Sequence, residues 1–114
     1  MTLKDLVETY NLEVVSGEKS LDRDVTGCYA SDLLSDVMGN STRGDLWITL
    51  QVHQNIVAVA SMRDLAGVVM IGGRRPLDET VKKALEEGIP LLASPLPAFE
   101  ICGRLYQAGL RGHV

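Results

Sequence analysis

The chain has 114 residues, 46% of them apolar and 23% charged. These are values of an ordinary folded domain, and they exclude a disordered, collagen-like or disulfide-stapled chain. Eleven Lys and Arg against fifteen Asp and Glu leave a formal net charge of −4 and a pI near 5.0, so a nucleic-acid binder would have to hide a basic patch in an acidic surface.

A chain of this length supports one core and one domain, placed at residues 1–110 with 111–114 as a frayed tail. Lys4, Asp5 and Glu8 interrupt the apolar residues of the N-terminus, unlike a secretory signal. The longest apolar runs, 56–60 and 68–71, fall far short of the ~20 residues a membrane span needs. A soluble cytoplasmic domain is expected. Cys28 and Cys102 lie far apart with no CxxC and no histidine cluster, which reads as two buried free thiols. No zinc site and no cofactor can be written from this inventory.

Residues 2–10 place Leu3, Leu6, Val7 and Tyr10 on one helical face, with Thr2 as cap, Asp5 three residues on, and Asn11 as a left-handed stop. Residues 12–16 read as a short strand and 18–24 as a polar loop. A second strand is expected over 25–30. Ser31 then caps a helix carrying Leu33, Leu34 and Val37, with Asp32 as its helix-start acid. Residues 46–50 form a buried strand. Segment 55–63 is ambiguous, since Val57 and Val59 favour strand while Ala58, Ala60 and Met62 favour helix; its length and neighbours point to a largely buried helix. A strand over 67–71 ends at Gly72-Gly73.

Pro76 suits the first turn of the next helix, where Asp78 and Glu79 sit near its positive end and Lys82 and Lys83 pair with them at i+4. Gly88 stops that helix, residues 90–94 form a strand, and Pro97 opens a last helix with Ala98, Ile101, Cys102, Leu105 and Ala108 inward. Strands separated by helices of this length imply parallel pairing with right-handed crossovers. The expected fold is a single three-layer α/β/α domain with a mostly parallel sheet.

Three stretches carry a family resemblance. They are Asp22-Arg23-Asp24-Val25-Thr26-Gly27-Cys28-Tyr29-Ala30-Ser31-Asp32-Leu33-Leu34-Ser35; Gly44-Asp45-Leu46-Trp47-Ile48-Thr49-Leu50-Gln51 with His53-Gln54-Asn55-Ile56-Val57-Ala58-Val59-Ala60; and Leu65-Ala66-Gly67-Val68-Val69-Met70-Ile71-Gly72-Gly73-Arg74-Arg75-Pro76. In this order and spacing they resemble the DRTGG-domain family, whose architecture is similar to the N-terminal domain of HPr kinase/phosphorylase and, more distantly, to that of the Mur ligases. DRTGG domains also sit between CBS domains in regulated pyrophosphatases, or beside phosphotransacetylase. Free-standing copies resemble small regulatory proteins, some linked to hydrogenase systems. The resemblance implies dimerisation and regulation rather than a reaction. HPr kinase keeps its chemistry in a second domain with a phosphate-binding loop. Here Gly72-Gly73 is followed by Arg74-Arg75 and not by Lys-Ser or Lys-Thr, so nothing holds a transferring phosphoryl group and kinase activity is rejected.

The ligand-binding candidates are Gly72, Gly73, Arg74, Arg75, His53 and Gln51. The 72–75 segment lies between a strand and a helix, at a carboxyl end where open α/β sheets bind ligands. Its backbone N–H groups, a helix dipole and two guanidiniums suit a phosphate or carboxylate; a tight turn with two solvated arginines is the plainer reading. His53, with Gln51, Gln54 and Asn55 nearby, follows the preceding strand and suits a base or ribose, or else merely starts a helix. No catalytic residue is assigned, because no carboxylate, serine or cysteine accompanies His53 in sequence. Asp32 and Asp36, four apart, explain an amphipathic helix better than a metal site. Trp47 reads as core; with Phe99 and Tyr106 it is too scattered to stack nucleic-acid bases.

The expected function is a non-catalytic, homodimeric regulatory module that senses a small ligand or partner for a metabolic or redox enzyme, with a hydrogenase link in view. The alternative is a binding domain for a nucleotide or phosphorylated metabolite with no dedicated partner. A small enzyme acting through His53 and an acid remote in sequence is the third reading.

Overall fold

The computed structural model of the chain describes residues 1–113. Among these residues lie five strands, β1 (Glu13–Ser16), β2 (Gly27–Ala30), β3 (Asp45–Thr49), β4 (Gly67–Met70) and β5 (Leu91–Ala93), and five α-helices, α1 (Leu3–Tyr10), α2 (Leu34–Asn40), α3 (Asn55–Met62), α4 (Asp78–Glu87) and α5 (Ala98–Gln107). They alternate except between β1 and β2, which are joined by a 3-10 turn at Glu18–Ser20. The strands form one sheet in the order β1-β5-β4-β3-β2. β2 to β5 are parallel, whereas β1 runs antiparallel to β5 with Glu13 in register with Ala93.

Alternation along the strands sorts the core into two layers. Leu46, Ile48, Val69, Ile71 and Leu92 pack towards α1 and α5, against Leu3, Leu6, Ile101 and Leu105. Trp47, Val68, Met70 and Leu91 pack the other way, against Val37 of α2, Ile56, Val57, Val59 and Ala60 of α3 and Ala84 of α4. The result is the expected α/β/α arrangement, two helices against three. Trp47 is core, and its indole N–H donates to the Ser31 carbonyl at 2.8 Å. Segment 55–63 is the helix α3, with Ile56, Val57, Val59 and Ala60 all buried.

The α1 cap is a complete capping box between Thr2 and Asp5, and Asn11 closes the helix in the left-handed region at φ 53°. The Asp5 carboxyl is held below the usual range, first by the backbone N–H of Thr2 and next by its hydroxyl.

Four local expectations change. Ser31 does not cap α2, because its hydroxyl accepts the Leu33 N–H two residues on and the helix starts only at Leu34. Pro76 lies ahead of α4 rather than in its first turn; Leu77 stays extended at the cap because its N–H donates to the Val52 carbonyl. Lys83 pairs forward with Glu87 at 3.3 Å, not back with Glu79. Residues 111–113 are tied to the sheet rather than frayed: β2 is an edge strand, its outward Cys28 N–H needs a partner, and the Arg111 carbonyl accepts it at 3.1 Å. Val114 lies outside the described residues. No helix among the described residues is long and apolar enough to cross a membrane.

Candidate functional site

The connections after β4 and β5 leave the sheet in opposite directions, to α4 on one face and α5 on the other. Diverging connections open a crevice at the carboxyl edge, where ligands of open α/β sheets bind. The antiparallel β1 brings its first residue to the same edge. A cleft of about 510 Å³ results, lined by Asn11 to Glu13, Gly73 to Arg75, and Ala93 to Pro95, which falls within the range of small-ligand sites, roughly 300–1,000 Å³.

Of the expected residues, Gly73, Arg74 and Arg75 line this cleft; Gly72, Gln51 and His53 do not. Gly72 and Gly73 both adopt positive φ, 66° and 76°, which explains glycine at each position. The expected backbone anion cradle is absent, however. The Gly72 N–H donates to the Leu96 carbonyl at 2.9 Å, that of Gly73 to Ser94 at 3.1 Å, and that of Arg74 to Ile71 at 3.2 Å. The α4 dipole is removed as well, since α4 starts three residues beyond Arg75 with Asp78 and Glu79 at its own N-terminus. What remains for an anion is the guanidinium pair and the Arg75 N–H, which donates to no backbone acceptor among the described residues. Arg75 Nη1 meets Glu13 Oε2 at 2.6 Å. Arg74 is exposed and pairs with no carboxylate among the described residues. Leu12, Ala93 and Pro95 give the cleft an apolar flank.

Asp32 is not a helix-start acid. Its carboxylate reaches across to the end of β3, where Oδ1 accepts from the Thr49 hydroxyl at 2.9 Å and the Leu50 N–H at 2.7 Å. Gln51 completes this lock: its side-chain amide donates to the Asp32 carbonyl at 2.8 Å, and its N–H donates to Thr49 Oγ1 at 3.1 Å. Thr49, Leu50, Asp32 and Ala98 line a second hollow of about 180 Å³, but its polar groups already satisfy one another. His53 is exposed in the loop beyond, where its carbonyl accepts the Ile56 N–H at the start of α3, and its ring makes no hydrogen bond among the described residues.

Cys28 and Cys102 are free thiols lining a third hollow, of about 170 Å³, between β2, α5 and residues 110–112. Burial, and secondarily the charges of Asp45 and Cys102, push the Cys28 thiol up to about 12, and burial raises Cys102 as well. Neither is poised as a nucleophile. Asp36 pairs within its own neighbourhood: the Tyr29 hydroxyl donates to both carboxylate oxygens at 2.9 Å and the Asn40 amide to one at 3.0 Å. No three of His, Cys, Asp and Glu converge on a metal-sized site among the described residues.

Sequence reasoning missed Asn11, Leu12, Glu13, Ala93, Ser94 and Pro95 as lining residues. The Ser94-Pro95 strand end was a usable signal. Nothing local to 11–13 says that β1 lies beside β5.

No protein-family profile and no curated protein sequence matches this chain. Among solved structures, the chain is similar to the CBS and DRTGG domains of the regulatory region of Clostridium perfringens pyrophosphatase, solved with its activator diadenosine tetraphosphate. The TM-score is 0.68 at 14% identity, over 94% of this chain and 46% of that one. The present chain thus spans about half the length of that structure. The likeness is one of fold, and it gives this α/β domain a DRTGG-like architecture.

Proposed function

We propose that the chain is a non-catalytic regulatory module that binds a small anionic ligand, a nucleotide or phosphorylated metabolite, in the cleft at the carboxyl edge of the sheet. The observation that carries this reading is the guanidinium pair Arg74–Arg75 beside an apolar flank, in the crevice where the β4 and β5 connections diverge. Guanidiniums are permanently charged forks for phosphate oxygens and do not transfer protons, so the arrangement suits binding rather than turnover. The fold likeness to the regulatory region of a pyrophosphatase supports a regulatory role. The regulated partner in this proposal, a metabolic or redox enzyme, including one of a hydrogenase system, rests on the family resemblance of the sequence. Two free thiols fit a reducing, cytoplasmic setting.

The module is a homodimer in this reading. Phe99, 89% exposed, lies seven residues before Tyr106 along α5, and the Tyr106 ring carries the Arg111 guanidinium 3.7 Å above its centroid, so the exposed apolar patch is centred on Phe99. A two-fold contact through it is the simplest symmetric assembly. A monomeric mass in light scattering at high micromolar concentration removes this part of the proposal.

Thermal-shift titration with adenine, guanine and uridine nucleotides and sugar phosphates tests the ligand reading. Saturation at a hundred times Kd stabilises the fold by about 2.7 kcal/mol. The shift disappears in Arg74→Ala and persists in His53→Ala. A complete absence of shift across the panel overturns it and leaves protein contact as the function.

A further inference from the structure

We infer that Glu13 is a competitive latch on the anion cleft: its carboxylate occupies Arg75 in the empty site, and a phosphate-bearing ligand displaces it. The inference rests on the reading of this cleft as the ligand site. The two guanidiniums that line it stand in different states. Arg74 faces solvent without a carboxylate partner among the described residues, while Arg75 holds Glu13 at 2.6 Å. The contact is a single one, Arg75 Nη1 to Glu13 Oε2, and a carboxylate oxygen meets a guanidinium N–H as a phosphate oxygen does. Glu13 therefore stands in the position of a ligand oxygen.

The backbone that presents Glu13 is fixed. The residue opens β1 in register with Ala93, another residue of the cleft, and it follows the left-handed Asn11 that ends α1. The moving part is the side chain alone. Both side chains of the pair are more than half exposed, 57% for Arg75 and 56% for Glu13, and exposed pairs hold weakly. Glu13 can rotate into water when a stronger anion arrives.

The latch sets ligand class. A carboxylate tethered within the cleft competes at a high effective concentration, on the order of millimolar for a short tether. A free monocarboxylate offers Arg75 nothing that Glu13 does not, and gains no advantage over it there. A doubly charged phosphate engages Arg75 more strongly than Glu13 does and adds Arg74 as a second contact. The site thereby selects phosphate and pyrophosphate groups over carboxylic acids.

Calorimetric titration of inorganic pyrophosphate into the full chain at low ionic strength tests the latch, with sodium acetate as the monocarboxylate. The proteins are the wild type, Glu13→Gln, Arg74→Ala, Arg75→Ala, the double variant Glu13→Gln/Arg75→Ala, and Glu18→Gln as a control that removes the same charge elsewhere. Thermal melts verify that each is folded. Glu13→Gln binds pyrophosphate about two- to fivefold more tightly, the ceiling set by the weakness of an exposed pair. Glu18→Gln shows no such gain, the gain is lost when Arg75 is absent, and acetate does not compete. Equal pyrophosphate affinity in wild type and Glu13→Gln, with binding lost in Arg74→Ala, overturns the latch and leaves the cleft as the ligand site. An equal gain from Glu18→Gln also overturns it, since total charge then accounts for the effect. Failure of pyrophosphate to bind either wild type or Glu13→Gln at millimolar concentration overturns latch and site together.

Discussion

His113 Nε2 lies 2.5 Å from Oδ1 of Asp45, a carboxylate that is fully buried at the start of β3. The other oxygen of Asp45 accepts the Thr42 N–H at 2.8 Å. The imidazole reaches it across Gly27: a Cβ there would stand 2.7 Å from His113 Nε2 and 2.8 Å from Asp45 Oδ1. Three residues remote in sequence are thus matched to one another. His113→Ala leaves one oxygen of a buried carboxylate without its partner. We expect a loss of about 1–3 kcal/mol, read as a fall in Tm of roughly 4–12 °C for a chain of this size. Gly27→Ala must move the imidazole, so its effect overlaps that of His113→Ala. The double variant loses clearly less than the sum of the two singles, and full additivity would show that Gly27 and His113 act separately.

The Tyr29–Asp36 pair gives a pH dependence with a defined sign. The hydroxyls of Ser31 and then Tyr29, with the Asn40 amide, hold the Asp36 carboxyl below its ordinary 3.8. A depressed carboxyl stabilises the fold above its unfolded value, and that contribution is lost as pH falls through the lower folded value. Tyr29→Phe therefore brings the Asp36 titration, followed by carboxyl-carbon NMR, back towards 3.8. An unmoved midpoint would refute the assignment. The hydrogen bond to Asp36 is also the first cause that raises Tyr29 above 10.0. Its phenolate absorbance accordingly appears at higher pH than that of an ordinary tyrosine, and Asp36→Asn shortens the lag, leaving the smaller part due to burial and the Asp45 charge. The stability linked to Tyr29 is present below about 10 and is lost as pH rises through the higher folded value.

Burial of the Cys28 thiol predicts slow reaction in the folded state. With its thiol near 12 instead of 9.0, its thiolate fraction at pH 8 is about a thousandfold below that of a free cysteine. Labelling with an aromatic disulfide is slow in native buffer and rapid in guanidinium chloride. Fast native labelling of Cys28 would mean that the hollow under residues 110–112 opens readily.

Asp32 belongs to the lock between the ends of β2 and β3. Asp32→Ala strips the Thr49 hydroxyl and the Leu50 N–H of their acceptor and costs about 1–2 kcal/mol in chemical denaturation. Because the lock stands apart from the arginine cleft, pyrophosphate affinity in this variant stays at the wild-type value. A large loss of affinity would place Asp32 in the ligand site.

The order and type of the elements were legible in the sequence, because periodicity and capping are local properties. The Thr2–Asp5 box and Asn11 gave both ends of α1, and the length of the apolar segment 55–63 resolved it correctly as helix. Alternate residues of 46–48 and 68–71 went to opposite faces because strand side chains alternate. Chain-local pattern implied the parallel pairing of the helix-separated strands, but not the place of β1 beside β5 nor the side-chain contacts between residues remote in sequence. Whether Asp32 serves its own helix or the next strand depends on which carbonyls and N–H groups stand beside it after folding. The glycine N–H groups of 72–73 look free in sequence and are consumed by the β5 connection in space. Glu13 meets Arg75 only because β1 docks antiparallel on β5, and His113 meets Asp45 across 68 residues. The sequence by itself determined a layered α/β domain with two arginines at a strand end, through side-chain periodicity and turn chemistry. Tertiary structure alone decided which charges face each other and which backbone donors are spent, because hydrogen bonds and ion pairs are set by distance in space rather than by separation along the chain.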